Sequence, residues 1–429
     1  MNNIRRLASS DRVSGIIMLS FAFLGLLLAN LPATYPFFEH VSEFHIGIPE
    51  TDIVMPVGHW VQDGLLTVFF FVVGLELKQE LTTGSLSDVR AAAVPMVAAA
   101  GGMAVPPLIF LGVSSMTFKI DFFANLLPPN ADFSQIVPGC AIPTATDIAF
   151  SLTVLALFAK GLPGSIRAFL LTLATVDDLL GILVIAICFS DLNEWYWFAG
   201  IAVCALIWYY LVRLEKVPKI LVAFTGLAAW TMMFEAGVHP TLAGVLVGLL
   251  TPALPVWGEK QSRSQRYCEI MQPFSVLVAL PVFALFATGI HFETVNAQLF
   301  LSPVFLAIAS ALLLGKPLGV LLSSWISVHI LRLKLPDGLK VRDFIPAGTA
   351  CGIGFTVSFL IASLAYKDHE LIDIARFAVL IGSVVSAAVA SFLLNAQVKR
   401  RKREHADKNP THIGKTHSEN FRAETLSQI

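Results

Sequence analysis

The chain has 429 residues, 56% of them apolar and 14% charged, with a formal net charge of −1 and a mean hydropathy of +0.74. Soluble domains carry roughly 25% charged residues, so the composition argues against a soluble enzyme and for a polytopic membrane protein. The near-neutral charge, with no basic stripe interleaved with aromatics, argues against a nucleic-acid partner. Five widely spaced cysteines (Cys140, Cys188, Cys204, Cys268, Cys351) with no C-x-x-C pair read as free thiols, not as a disulfide framework or zinc site.

The N-terminal "MNNIRRLASSDR" has the positive start of a signal peptide. The apolar run after it is long enough to span and no small-x-small cleavage site follows, so it is the first helix. Twelve spans are predicted: 13–31, 57–81, 91–115, 141–159, 165–190, 195–213, 218–235, 238–252, 271–290, 303–328, 343–366 and 371–396. The fourth and eighth are short and bounded by proline or glycine. Residues 1–396 thus form one all-α membrane domain, and 397–429, opening on "KRRKRE", a basic tail expected to be disordered and to touch anionic lipid. Between the first two spans, "FHIGIPETDIVMPV" suits a short hairpin or an irregular loop. With both termini cytoplasmic, the inner segments hold 25 Lys and Arg and the outer ones three (Lys119, Lys367, Arg376). Lys316 is left inside the membrane.

Asp177 and Asp178 interrupt the otherwise uncharged "AFLLTLATVDDLLGILVIAICF" (168–189). They lie about ten residues from Arg167, roughly 15 Å along a helix and near the bilayer midplane. A central aspartate costs about 2.5–3.5 kcal/mol on insertion, whereas a Leu, Ile, Val or Phe offsets only about 0.3–0.6 kcal/mol. Neighbouring helical residues project about 100° apart, so one carboxylate can face a cavity while the other pairs with an adjacent helix. Two protonated acids packed between helices are the blander alternative.

In "GCAIPTATDIAFSL", Pro143, Thr144, Thr146 and Asp147 open the fourth span. Proline leaves carbonyls without intrahelical partners, and hydrocarbon tolerates those only where protein or a watery cavity satisfies them. Oxygens from Thr146, Asp147 and free carbonyls suit a hard cation, although both side chains could be ordinary helix caps. In "LLLGKPLGV", Lys316 is too deep to snorkel, and its natural partner is a stranded carboxylate. Gly348, Gly352 and Gly354 in the eleventh span indicate close packing or a second broken helix. The interrupted fourth and eleventh spans each adjoin a span with an unusual charge. Spans 3–5 and 10–12 begin on opposite sides of the membrane, as in the inverted repeats of secondary transporters, NhaA among them.

The chain resembles the NhaA-type sodium/proton antiporter family. The resemblance rests on "VFFFVVGLELKQEL" (68–81), "ATDIAFSLTVLAL" (145–157), "TVDDLLGILVIA" (175–186), "GVHPTLAGVLVG" (237–248), "GKPLGV" (315–320) and "CGIGFTVSFLIASLAY" (351–366), in family order. It implies twelve helices, crossed discontinuous helices 4 and 11, and electrogenic exchange of Na+ or Li+ for protons across a bacterial inner membrane. It also implies no cofactor, no enzymatic activity, and a homodimer joined partly by a hairpin between the first two helices. The family's ion-binding pair falls on Asp177 and Asp178, its broken-helix Thr-Asp on Thr146 and Asp147, and its membrane lysine on Lys316. Gating or pH-sensing groups fall on Asp63, Glu76 and His239. Departures are Gln79, Cys268, Glu269 and Gln272, and a long loop from Thr117 to Pro138; these lie on the side that the resemblance associates with pH sensing and leave the ion site intact.

The mechanism expected has Asp178 as principal ligand of Na+ and acceptor of the proton, with Asp177 pairing with Lys316 when the site is protonated. Asp147 compensates two half-helix N-termini and Thr146 lends an oxygen. A sodium-coupled symporter of an organic anion shares such an architecture but needs a larger polar cavity. An intramembrane aspartyl protease needs its aspartates on different helices, and no phosphate-binding Gly-x-x-x-x-Gly-Lys-Ser/Thr loop is present.

Overall fold

The computed structural model describes residues 11–47, 54–120, 132–158, 164–190, 194–291, 297–333, 335 and 339–408, which are almost entirely helical. Asp11–Asn30 (α1) leads through Tyr35–Glu43 (α2) into an antiparallel hairpin of His45–Gly47 (β1) and Val54–Pro56 (β2), with Ile46 opposite Met55. The alternation in the sequence therefore does make a hairpin, whose turn at 48–53 lies outside the described residues. Next come Val57–Thr82 (α3) and Val89–Phe118 (α4). Phe133–Thr144 (α5) and Ile148–Phe158 (α6) form a pair bent by 44° at a short break. Gly164–Cys188 (α7), Tyr196–Leu211 (α8), Lys219–Glu235 (α9) and Thr241–Leu250 (α10) follow. Arg263–Ala287 (α11) and Pro303–His329 (α12) precede a second bent pair, Val341–Ala350 (α13) and Phe355–Ala365 (α14), at 59°. His369–Lys408 (α15) closes the chain.

Among the described residues seven single helices are long and apolar enough to cross a membrane, or nine with the two bent pairs counted as spans. Each of the twelve predicted runs has a helical counterpart, but α8, α9 and α10 have 16, 17 and 10 residues, below the roughly 20 of a full crossing. Boundaries differ where turn chemistry outweighs hydropathy. The fourth span begins at Phe133, not 141, because Asp132 and Gln135 form a capping box there. The ninth begins at Arg263, not 271, where the Ser262 hydroxyl accepts from Gln265 N at 3.1 Å. The twelfth continues beyond 396 to Lys408, so the basic run from Lys399 to Arg403 is helical; residues 409–429 of the predicted tail, and 121–131 of the long loop, lie outside the described residues.

α4 and α12 pack at Gly101 and Gly319, where a Cβ on Gly319 would collide with the Gly101 carbonyl and lie 3.0 Å from Gly102 Cα. Phe110, Leu312, Ala350, Phe359 and Leu394 are wholly buried around these elements. On the outside, Ile187, Ile220 and Phe392 are 77%, 78% and 72% exposed, an apolar mantle that suits hydrocarbon and not water.

Candidate ion-binding site

Two chain breaks cross at the centre. Between α5 and α6 the helix is interrupted at residues 145–147, and between α13 and α14 at 351–354. Asp147 N donates to Ile353 O at 2.7 Å, Thr146 Oγ1 to Cys351 O at 3.0 Å, and Ser151 Oγ to Ala350 O at 2.9 Å. The carbonyls released by one break are thus satisfied by donors of the other, which hydrocarbon demands. Of the glycines in the eleventh span, Gly352 lets this break pack against α12 and α15, since a Cβ there would lie 2.5 Å from Leu312 O and 2.9 Å from Ser386 Oγ.

Asp147 ties the two half-helices together. Its Oδ1 accepts from Phe150 N at 3.0 Å, and its Oδ2 accepts from Thr356 Oγ1 at 2.8 Å and Thr356 N at 3.3 Å. It is therefore a cap, but one 3% exposed that serves two helix N-termini at once. Thr356 lies within "CGIGFTVSF" (351–359), where an uncharged hydroxyl gives the sequence no signal of this contact.

The adjacent aspartates part company as helical geometry requires. Asp177 Oδ2 accepts from Lys316 Nζ at 2.5 Å, with both side chains 1% exposed. Lys316 follows a π-helical turn, Ala311–Gly315, inside α12. Asp178 instead lines a cavity of about 430 Å3, together with Thr146, Asp147, Thr356, Glu76 and Ser275. The cavity reaches the ends of α3 and α7 that carry Glu80 and Arg167. A second void of about 10 Å3 adjoins both aspartates beside Phe69, Phe70 and Gly181, about enough for one water.

Glu76 sits on the cavity wall, where Cys268 Sγ donates to its Oε1 at 3.7 Å. Gln272 also lines the cavity, while Glu269 lies off it and accepts from Gln261 Nε2 at 3.3 Å. Gln79 spans to Ser264 Oγ at 3.2 Å. Asp63 and His239 are not brought to this site. They form a separate buried pair, His239 Nε2 3.4 Å from Asp63 Oδ1, with Thr241 Oγ1 2.6 Å from His239 Nδ1. Trp230 Nε1 donates to Asp63 O at 3.0 Å and stacks on Trp60 at 5.5 Å. Arg263, counted with the cytoplasmic loops by its charge, is wholly buried and donates to Val212 O at 2.7 Å and Leu214 O at 2.6 Å. It locks the start of α11 to the end of α8.

Comparison with known proteins gives one consistent result. A family model described as Na+/H+ antiporter 1 matches residues 5–394. The chain is 62% identical over 413 residues to the Na(+)/H(+) antiporter NhaA of Bifidobacterium adolescentis, covering 96% of this chain and 91% of that protein. A protein of the same name from Bifidobacterium longum is 60% identical over 405 residues, 93% of this chain and 86% of its own. The Na(+)/H(+) antiporter NhaA 3 of Streptomyces coelicolor is 38% identical over 387 residues, 90% and 78% respectively.

Proposed function

The chain belongs to the Na+/H+ antiporter 1 family, and from that premise we propose that it exchanges Na+ or Li+ for protons across a bacterial inner membrane. It is a transporter and not an enzyme. The relatives' names speak for exchange and lend nothing to the organic-anion symporter.

The observation that carries the mechanism is the separation of the two carboxylates, with Asp177 held by Lys316 and Asp178 on the cavity wall. Asp178 takes either a proton or the cation, and mutual exclusion at one carboxylate couples the two fluxes. When the cation arrives, Asp177 leaves Lys316 and joins it. A second proton, carried by the Asp177–Lys316 pair, makes the exchange electrogenic. Asp147 holds the crossed breaks and Thr146 adds an oxygen. Alternating access swings this bundle against the remaining helices.

The twelve-span reading pairs α4, α5–α6 and α7 with α12, α13–α14 and α15 as inverted repeats, each triplet holding one bent span. Both termini then face the cytoplasm, residues 1–396 form the transport domain, and the basic end meets anionic lipid. The β1–β2 hairpin supplies part of a homodimer interface. Asp63, Glu76 and His239 serve gating and pH regulation of sodium extrusion and pH homeostasis, Glu76 from the cavity itself. Adding Na+ or Li+ to everted vesicles should collapse a preformed proton gradient with no organic solute present. The Asp178→Asn variant should give no response, and normal exchange by it would overturn the assignment.

A further inference from the structure

Three π-helical turns occur among the described residues: Trp60–Leu65 in α3, Ser275–Ala279 in α11 and Ala311–Gly315 in α12. Such turns widen a helix by one residue and gather at functional positions. One contains Asp63 and another ends against Lys316. The third opens on Ser275, which the mechanism above leaves without a role.

Membrane serines and threonines ordinarily close onto their own helix. Thr172 Oγ1 does so onto Ala168 O at 3.0 Å, Thr175 onto Leu171 O at 2.8 Å, and Ser327 Oγ onto Ser323 O at 2.7 Å. Ser275 does not. At the start of the π turn its backbone N donates to Met271 O and Gln272 O, and its hydroxyl, 1% exposed, has no hydrogen-bond partner. Ser302, Ser324 and Ser386 are also buried without partners, but Ser275 alone of these four lines the cavity that holds Asp178. Gln272 and Cys268, three and seven residues earlier on the same helix face, continue a polar stripe toward Glu76. A hydroxyl kept off its own helix on the wall of a cation cavity is an oxygen ligand in waiting, since hard cations select oxygen.

We propose that Ser275 is a cation-binding residue of the exchange: its hydroxyl supplies an oxygen to the alkali cation as it moves along α11 toward Asp178. This inference rests on the exchange reading above and adds a ligand to it.

The test is a Na+ titration of proton-gradient collapse in everted vesicles, normalised to the amount of full-length protein. Ser275→Ala and the near-isosteric Ser275→Cys should each raise half-saturating Na+ about three- to tenfold, the size expected for losing one polar contact. Maximum rate and pH profile should stay as in wild type, and Ser275→Thr, which keeps the oxygen, should restore the wild-type value. Wild-type half-saturation in both Ala and Cys variants would overturn the proposal, as would an equal rise in the Thr variant, which would mark a packing role. If the Ala protein fails to reach the membrane, the Cys and Thr variants decide. Absence of collapse by the wild type refutes exchange itself, a distinct result.

Discussion

Replacing Lys316 by alanine should destabilise the protein more than any single change at its surface. The ammonium and the Asp177 carboxylate meet at 2.5 Å with 1% of either side chain exposed. At an effective dielectric of about 20 their attraction is about 7 kcal/mol, much of it offset by desolvating both ions. Removing one partner leaves a buried charge uncompensated and costs about 3–5 kcal/mol, an upper range because Asp177 can respond by taking a proton. Replacing both, as Asp177→Asn with Lys316→Met, removes that stranded charge and should recover most of the loss. The assay is apparent melting in detergent by fluorescence of the native tryptophans, where Lys316→Ala should fall roughly 3–6 °C below wild type. A single variant melting within about 1 °C of wild type, or a double variant as unstable as the sum of the singles, would refute the pairing and its energetics.

Thr356→Val keeps the shape but removes the hydroxyl donor to Asp147; it should cost about 1–2 kcal/mol in melting and weaken Na+ affinity. Gly319→Val drives a side chain into the Gly101 backbone of α4, and should leave little folded protein on a size-exclusion column, whereas Gly112→Ala, with open space around its site, should elute as wild type. Deleting residues 45–56 should shift the detergent-purified protein from dimer to monomer in light scattering while exchange in vesicles survives; an unchanged mass would remove the hairpin from the interface.

Much of this arrangement was legible in residues one at a time. Pro143 beside Thr146 and Asp147 marked one break and the glycines around Gly352 admitted another, because an unsatisfied carbonyl in hydrocarbon leaves few options. Lys316 in an apolar run had to find a carboxylate, and it meets Asp177. What stayed hidden is tertiary. That Asp147 N reaches Ile353 O depends on two segments over 200 residues apart crossing, and no periodicity encodes a crossing. The π turns that begin at Ser275 and precede Lys316 shift a helix by a single residue, below the reach of a hydropathy window. Arg263 reads as a loop cation because charge marks the cytoplasmic side, yet its guanidinium is buried, paired with Glu259 and donating to the carbonyls of Val212 and Leu214. Asp63 and His239, assigned by resemblance alongside the ion site, are placed together but apart from it.

The central claim is that one carboxylate, Asp178, holds either a proton or the cation. It is tested most directly by measuring protons released when Na+ is added to purified protein in weakly buffered detergent. Wild type should release protons saturably with Na+, and Asp178→Asn should release none while melting as a folded protein. Saturable Na+ binding without proton release, or a wild-type release from the Asn variant, would contradict the account.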